Sequence, residues 1–301
     1  MSSVRKRASL IALALLSLAG MSSALGQAWL PRQGDIGTLI SYNDLLNKHH
    51  YTTSGDEVDL GHTQTRTTGL AVTYSPSDRW LLGASIPYVQ TRFLGENHNH
   101  GPETDHGHTN SWWTDLRLEV HFQALLDPVA IAPYYAVVLP VQDYPVQGHA
   151  APGRGLTEHW IGLFAGKALD FMLPGMYVQA RANYAFVQEV ADIGHDRGNL
   201  DLELGYFFTP SWAAWVLGSW QWTYGGIDVP VPPNSPLFPY HDQLAAAEFF
   251  NMTGGIGWFP GDRWNVFLNY SESLSGSNAH KVDRSWTIGV GYRFGFLFGP
   301  R

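Results

Sequence analysis

The sequence predicts an all-β chain folded as a transmembrane antiparallel up-and-down β-barrel of about twelve strands, with short periplasmic turns and long extracellular loops. Three observations carry that expectation. Segments of about 10 to 14 residues alternate apolar and polar side chains. Aromatic residues crowd the ends of those segments. The connections between segments alternate short and long.

Composition removes the competing classes. With Trp 12, Tyr 14, Phe 15 and only 15% charged residues, the chain has too much to bury to be disordered. It has no cysteine, which excludes a disulfide scaffold and any thiolate-ligated metal centre. A net charge of −8 gives no footprint for nucleic acid, so none is expected as a partner. Mean hydropathy is −0.14, and no apolar run past the N-terminus is long enough for a spanning helix.

The first element is an address. Arg5, Lys6 and Arg7 precede an apolar stretch from Ala8 to Gly20, and Ala24-Leu25-Gly26 offers small residues before Gln27. This is the pattern of a secretory signal peptide over residues 1–26, leaving 27–301 as one barrel domain. Fewer than ten residues separate Gln27 from the first strand near Asp35, too few for a plug domain.

The strands follow from period-two alternation. Leu116, Leu118, Val120 and Phe122 alternate with Asp115, Arg117, Glu119 and His121. Leu200, Leu202, Leu204 and Tyr206 alternate with Asn199, Asp201, Glu203 and Gly205, and Trp264, Val266, Leu268 and Tyr270 alternate with Asn265, Phe267 and Asn269. In the last strand Trp286, Ile288, Val290, Tyr292, Phe294 and Phe296 share one face. Such a pattern also suits a soluble sandwich. The length of the strands and the aromatics at their ends (Trp80, Trp112, Trp113, Tyr206, Trp212, Trp220, Trp222, Trp258, Trp264, Trp286) favour two interfacial girdles and the outer membrane of a Gram-negative cell.

The connections fix the count. Short ones fall at 75–78, 126–128, 170–175, 209–211 and 260–262; long ones at 47–58, 94–111, 140–156, 189–197, 225–243 and 273–282. Five short and six long connections join twelve strands and put both ends of the barrel on the short-turn side. Outer-membrane lipid, and the barrel-assembly machinery during biogenesis, are the partners such a barrel requires.

Charge on a lipid face is expensive, about 2–4 kcal/mol for a midplane Arg, so the charged alternates belong inside. The expected lumen lining is Asp115, Arg117, Glu119, His121, Arg181, Asp201, Glu203 and Arg293, with Gln179 and Asn183. These groups suit either a salt-bridge lattice bracing the wall or a lining that selects a solute. Tyr134, Trp215 and Phe267 are inward aromatics. A twelve-stranded barrel has a backbone diameter of about 24 Å, of which side chains take about half, so a narrow pore is expected and a wide porin is not.

Ten of the thirteen histidines fall in the long connections: His49, His50, His98, His100, His106, His108, His149, His195, His241 and His280. The stretch from Glu96 to His108 carries two His-x-His pairs, with Glu103 and Asp105 between them. Imidazole with carboxylate suits Zn²⁺, Cu²⁺ or Ni²⁺, making His98, His100, His106 and His108 the candidate ligands for a divalent metal; no other cofactor is indicated.

Between Leu82 and Pro140 the chain resembles the outer-membrane barrel family known as phenol meta-pathway degradation "transporter" proteins. The carrying residues are Gly83-Ala84-Ser85-Ile86-Pro87-Tyr88, Asp115-Leu116-Arg117-Leu118 and Val138-Leu139-Pro140. Thr114 and Gln142 stand where that family has glycine. The resemblance implies a barrel with a transport role and leaves its substrate open.

The resulting expectation is a porin-like outer-membrane channel or transporter for a small solute, aromatic or hydrophobic in character. Two alternatives stay open: a barrel whose His-rich outer loop captures divalent metal, and a structural or receptor barrel. Catalysis is not expected. There is no G-x-S-x-G elbow, Walker A loop or dinucleotide fingerprint, and His108-Thr109-Asn110-Ser111 misses by one residue the His-x-Ser spacing of outer-membrane phospholipase A.

Overall fold

The computed structural model describes residues 27–59, 61–95, 103–232 and 234–294. Within them twelve long antiparallel strands form one closed sheet: β1 (Ile36–Asn47), β2 (Thr63–Ser77), β3 (Trp80–Phe93), β4 (Asn110–Trp113 continuing as Asp115–Phe122), β5 (Ala130–Pro140), β6 (Glu158–Ala168), β7 (Met176–Val187), β8 (His195–Thr209), β9 (Trp212–Gly225), β10 (Glu248–Trp258), β11 (Trp264–Ser277) and β12 (Arg284–Phe294). Each pairs with its neighbours in sequence. β1 closes the ring on β12, from Ile36 opposite Phe294 to Leu46 opposite Arg284. Closure leaves no strand edge, so every ladder group is satisfied in lipid. A closed barrel with an apolar outer belt is an outer-membrane architecture.

The alternation has a physical outcome. Ile40, Val72, Ile161, Leu202, Val216 and Ile288 stand exposed on the outer wall, while residues beside them in sequence, such as Ser41, Thr73, Trp160, Asp201, Trp215 and Thr287, are turned inside and buried. Two rims of paired aromatics bound this belt. At the short-turn end Trp80 meets Phe122 (ring centroids 4.8 Å apart), Trp212 meets Trp258 (6.1 Å) and Trp264 meets Tyr292 (4.6 Å). At the other end Tyr88 meets Trp113 (5.2 Å), Tyr184 meets Tyr224 (5.6 Å) and Tyr270 meets Trp286 (4.7 Å). The rings sit at headgroup level, where an apolar body and a polar tip are both served.

Inside, each of four large aromatics lies over a glycine directly across the ladder: Tyr134 over Gly162, Tyr177 over Gly205, Trp215 over Gly255 and Phe267 over Gly289. The rings lie flat on the wall because no side chain stands opposite. A Cβ at Gly289 would come 2.2 Å from the Phe267 ring, whereas one at Gly254 would meet nothing. Gly289→Val is therefore expected to cost about 1–3 kcal/mol of unfolding free energy in urea titrations, by overpacking. Gly254→Val should stay within about 0.5 kcal/mol of the parent.

β4 is broken at Thr114. Pro87 on β3 has no N–H to give, and the register slips by one residue between the pairs Tyr88–Trp113 and Ser85–Arg117. Thr114 N instead donates to Pro87 O at 3.2 Å, and Thr114 O accepts from Val141 N at 3.0 Å. The three segments that carried the family resemblance meet here on adjacent strands, with Ser85 opposite Arg117, Arg117 opposite Val138 and Asp115 opposite Pro140.

The outer connections hold more structure than their sequence announces. His50–Tyr51, Glu57–Val58 and Ala279–His280 form a small three-stranded sheet, and the connection after β9 contains a 3₁₀ turn (Phe238–Tyr240) and a single helical turn, α1 (His241–Leu244). Elements this short show no period. His195, expected in a loop, is the first residue of β8 and pairs with Gly225, because the inward alternation of β8 starts earlier than its apolar face.

Candidate functional site: the barrel lumen

The wall from β4 to β8 is charged. On β4, Arg117, Glu119 and His121 follow one another on the inner face. The Glu119 carboxylate sits between its neighbours, accepting from Arg117 Nε at 2.9 Å and lying 3.1 Å from His121 Nε2. The Arg117 guanidinium stacks 4.8 Å from the Trp160 ring and 6.0 Å from Tyr134. His121 lies between Tyr134 and Phe164, at 5.1 and 5.5 Å. Arg181 and Asp201 face each other across the β7–β8 ladder, Nε to Oδ2 at 2.6 Å. Arg197 pairs with Glu158, which also accepts from Trp160 Nε1 at 2.9 Å. Asn199 Nδ2 donates to Asn183 Oδ1 at 2.9 Å, and Glu203 lies buried opposite Gln179.

The facing wall, β10 to β3, is mostly uncharged and short apart from Phe267 and the Arg293 pair at the inner rim. Its buried inward residues include Thr253, Asn265, Asn269, Ser285, Thr287 and Thr67. The lumen thus has one charged, aromatic-stacked side and one mostly polar side.

Two expected lining residues stand away from the other six. Asp115 stands next to the Thr114 break in β4, opposite Pro140, where it accepts from Tyr144 OH at 2.5 Å and ties down the connection after β5. Arg293 stands at the inner rim, 3.3 Å from Asp35 and donating to Asp262 O at 2.8 Å. Six others (Arg117, Glu119, His121, Arg181, Asp201, Glu203) lie together on the charged wall.

The segment before β1, too short for a plug domain, nevertheless enters the lumen. Gln27, Ala28 and Leu30 are buried inside the barrel. Ala28 N donates to Gln179 Oε1 at 3.0 Å, Leu30 N to Gln123 Oε1 at 2.8 Å, and Gln123 Nε2 donates back to Ala28 O at 2.9 Å. Trp29 lies against Gly166 and packs on both apolar clusters of the lumen, one around Tyr134 and Phe164, the other around Trp215 and Phe267. No plug domain is needed in so narrow a barrel; four residues cross it. Gln123 continues the inward alternation of β4, which was the available signal.

The outer mouth is covered by interlocked loops. Thr104 Oγ1 donates to Gln147 O at 2.9 Å, Gly148 N to Asp242 Oδ2 at 2.7 Å, Gln243 Nε2 to Arg154 O at 2.6 Å, and Thr53 Oγ1 to Val229 O at 2.9 Å. Arg154 is half-buried in this mesh beside Arg197, and desolvation lowers its guanidinium to about 9.

Only half of the expected histidine cluster falls among the described residues. His98 and His100 lie outside them. His106 and His108 are exposed, with ring centroids 5.2 Å apart, and His106 Nδ1 accepts from His108 N. Asp105 is turned away and buried; its two oxygens accept from His149 N and Ala150 N, each at 2.9 Å.

Among solved structures, the COG4313 outer membrane channel from Pseudomonas putida F1 aligns with a TM-score of 0.68 over 88% of this chain and 97% of its own, at 14% identity. The β domain of the Bordetella autotransporter BrkA aligns at 0.51 over 87% of this chain and 100% of its own, at 10% identity. The translocator domain of autotransporter NalP from Neisseria meningitidis aligns at 0.50 over 88% and 90%, at 15% identity. At these identities the likeness is one of fold. No family model and no curated protein matches the chain.

Proposed function

We propose that the protein is an outer-membrane channel admitting small, weakly polar solutes, aromatic ones above all, excluding sugars and passing hydrated ions only poorly. The observation that carries this reading is the filling of the lumen. Residues 27–30 cross it at the inner end, loops interlock over the outer end, and the path between runs past Tyr134, Phe164, Trp215 and Phe267. A flat ring passes such a slot with its faces stacked on aromatic walls; a hydrated ion must shed water against buried pairs that already satisfy each other. The likeness to a protein titled an outer membrane channel supports the transport part, and the resemblance to the phenol meta-pathway family supports the aromatic part.

The test uses proteoliposomes. Phenol or benzyl alcohol should enter protein-containing vesicles faster than empty ones, while glucose and arginine should not swell them. Planar bilayers should show small, discrete conductance steps. Rapid swelling with glucose would overturn the selectivity. Folded, heat-modifiable protein with no flux of any solute would overturn the channel and favour a structural or receptor barrel.

A further inference from the structure

We propose that His50, His149 and His280 form a binding site for one divalent transition-metal ion, zinc, copper(II) or nickel(II), at the outer mouth of the barrel. One ligand nitrogen from each ring lies within 4.8 Å of the other two. The ring centroids are 4.1 Å apart for His50 and His280, 4.9 Å for His50 and His149, and 5.9 Å for His149 and His280. Imidazole nitrogens bound tetrahedrally at about 2.0–2.1 Å from zinc stand about 3.3 Å apart. The widest pair therefore closes by about 1.5 Å on loading, within reach of ring rotations.

The three residues come from sequence positions that nothing local brings together. His50 and His280 lie directly opposite in the small outer sheet, so their side chains leave from the same side. His149 arrives from the connection after β5. Its backbone is fixed by three contacts: its N–H donates to Asp105 Oδ2 at 2.9 Å, the next N–H to Asp105 Oδ1 at 2.9 Å, and its carbonyl accepts from Thr63 Oγ1 at 3.2 Å. Its ring stacks on Phe93, centroids 5.5 Å apart, and Phe93 is fully buried. Tyr51 and Ala279 pack under the small sheet. The ligand set is thus presented by a framework whose backbone is already ordered, as a metal site needs.

The donor chemistry selects the ion. Three neutral imidazoles are borderline ligands suited to zinc, copper(II) and nickel(II), while magnesium and calcium require oxygen. The nearby acids are engaged: Asp283 holds His49 Nδ1 at 2.7 Å, and Glu57 holds Lys281 Nζ at 2.7 Å. Three protein ligands leave one position of a tetrahedron for water or an exogenous ligand. An ion here ties the connections after β1, β5 and β11 together over the mouth. The site stands independently of whether the lumen conducts.

The test starts with metal-stripped, refolded full-length protein titrated with Zn²⁺ against a chromophoric chelator. One equivalent should bind at micromolar or lower dissociation constant. His149→Ala and His280→Ala should each weaken it by about 100-fold or more, and His106→Ala/His108→Ala should leave it unchanged. Folding of each variant is checked by heat-modifiability on gels. The unmodified protein gives a second readout that requires no variant: Co²⁺ should produce the intense visible absorption of a four-coordinate site, and Cu²⁺ should show nitrogen hyperfine coupling. Absence of stoichiometric binding would overturn the proposal. So would octahedral Co²⁺ spectra, or binding that survives His149→Ala and disappears in His106→Ala/His108→Ala.

Discussion

A chain lacking residues 28–31 should conduct several-fold more than the parent in planar bilayers while folding to the same heat-modifiable barrel. The segment crosses the inner end of the lumen, yet it belongs to no strand and its loss opens no ladder. Its hold on the wall consists of the hydrogen bonds to Gln123 and Gln179 and the apolar contacts of Ala28, Trp29 and Leu30. Each neutral hydrogen bond contributes only about 0.5–1.5 kcal/mol. Removing the segment leaves a backbone cylinder of about 24 Å whose inner end is narrowed only by wall side chains. Gln123→Ala/Gln179→Ala keeps the segment and removes its tethers, so the expected recording is flicker between parental and enlarged conductance. A deletion that conducts like the parent would move the constriction to the outer loops or the charged wall.

That segment shows where sequence reading stopped. Strand number, closure and the facing of Arg117, Glu119, Arg181 and Asp201 were legible, because a bilayer penalises every misplaced charge and so writes a two-residue period into the chain. Nothing comparable marks Gln27 to Leu30. Four apolar and amide residues carry no period, and their place depends on Gln123 and Gln179, 93 and 151 residues away. The histidines divide the same way. The dense run around His106 attracts attention because its members are adjacent, but among the described residues His106 and His108 stand exposed with no third ligand group beside them. His50, His149 and His280 share no motif; only barrel closure, which sets β1 beside β12, makes the first and last of them neighbours. The resemblance segments were legible for a local reason, since a proline that cannot donate and the bulge that answers it leave their mark on three consecutive strands.

Glu119→Ala should be the most damaging single substitution in the lumen, lowering the free energy of unfolding by about 3–5 kcal/mol. Its carboxylate accepts from Arg117 Nε and lies 3.1 Å from His121 Nε2. Deleting it leaves the Arg117 guanidinium stacked on Trp160 with its charge uncompensated in a side chain only 9% exposed. Removing one member of a buried pair costs far more than the pair contributes net, because the survivor has already given up its water. Two comparisons separate this account from simple loss of packing. Glu57→Ala breaks the Lys281 pair, in which Glu57 is 44% exposed, and should cost about 0–1 kcal/mol, because water replaces the partner. Arg117→Met/Glu119→Leu removes both charges and keeps the volume; it should recover most of the loss, as apolar replacements of buried ion pairs commonly do. Urea unfolding in lipid vesicles, followed by tryptophan fluorescence, measures all three. If the double variant is as unstable as Glu119→Ala, the charges are not what braces this wall, and the shape of the side chains around Trp160 and Tyr134 is.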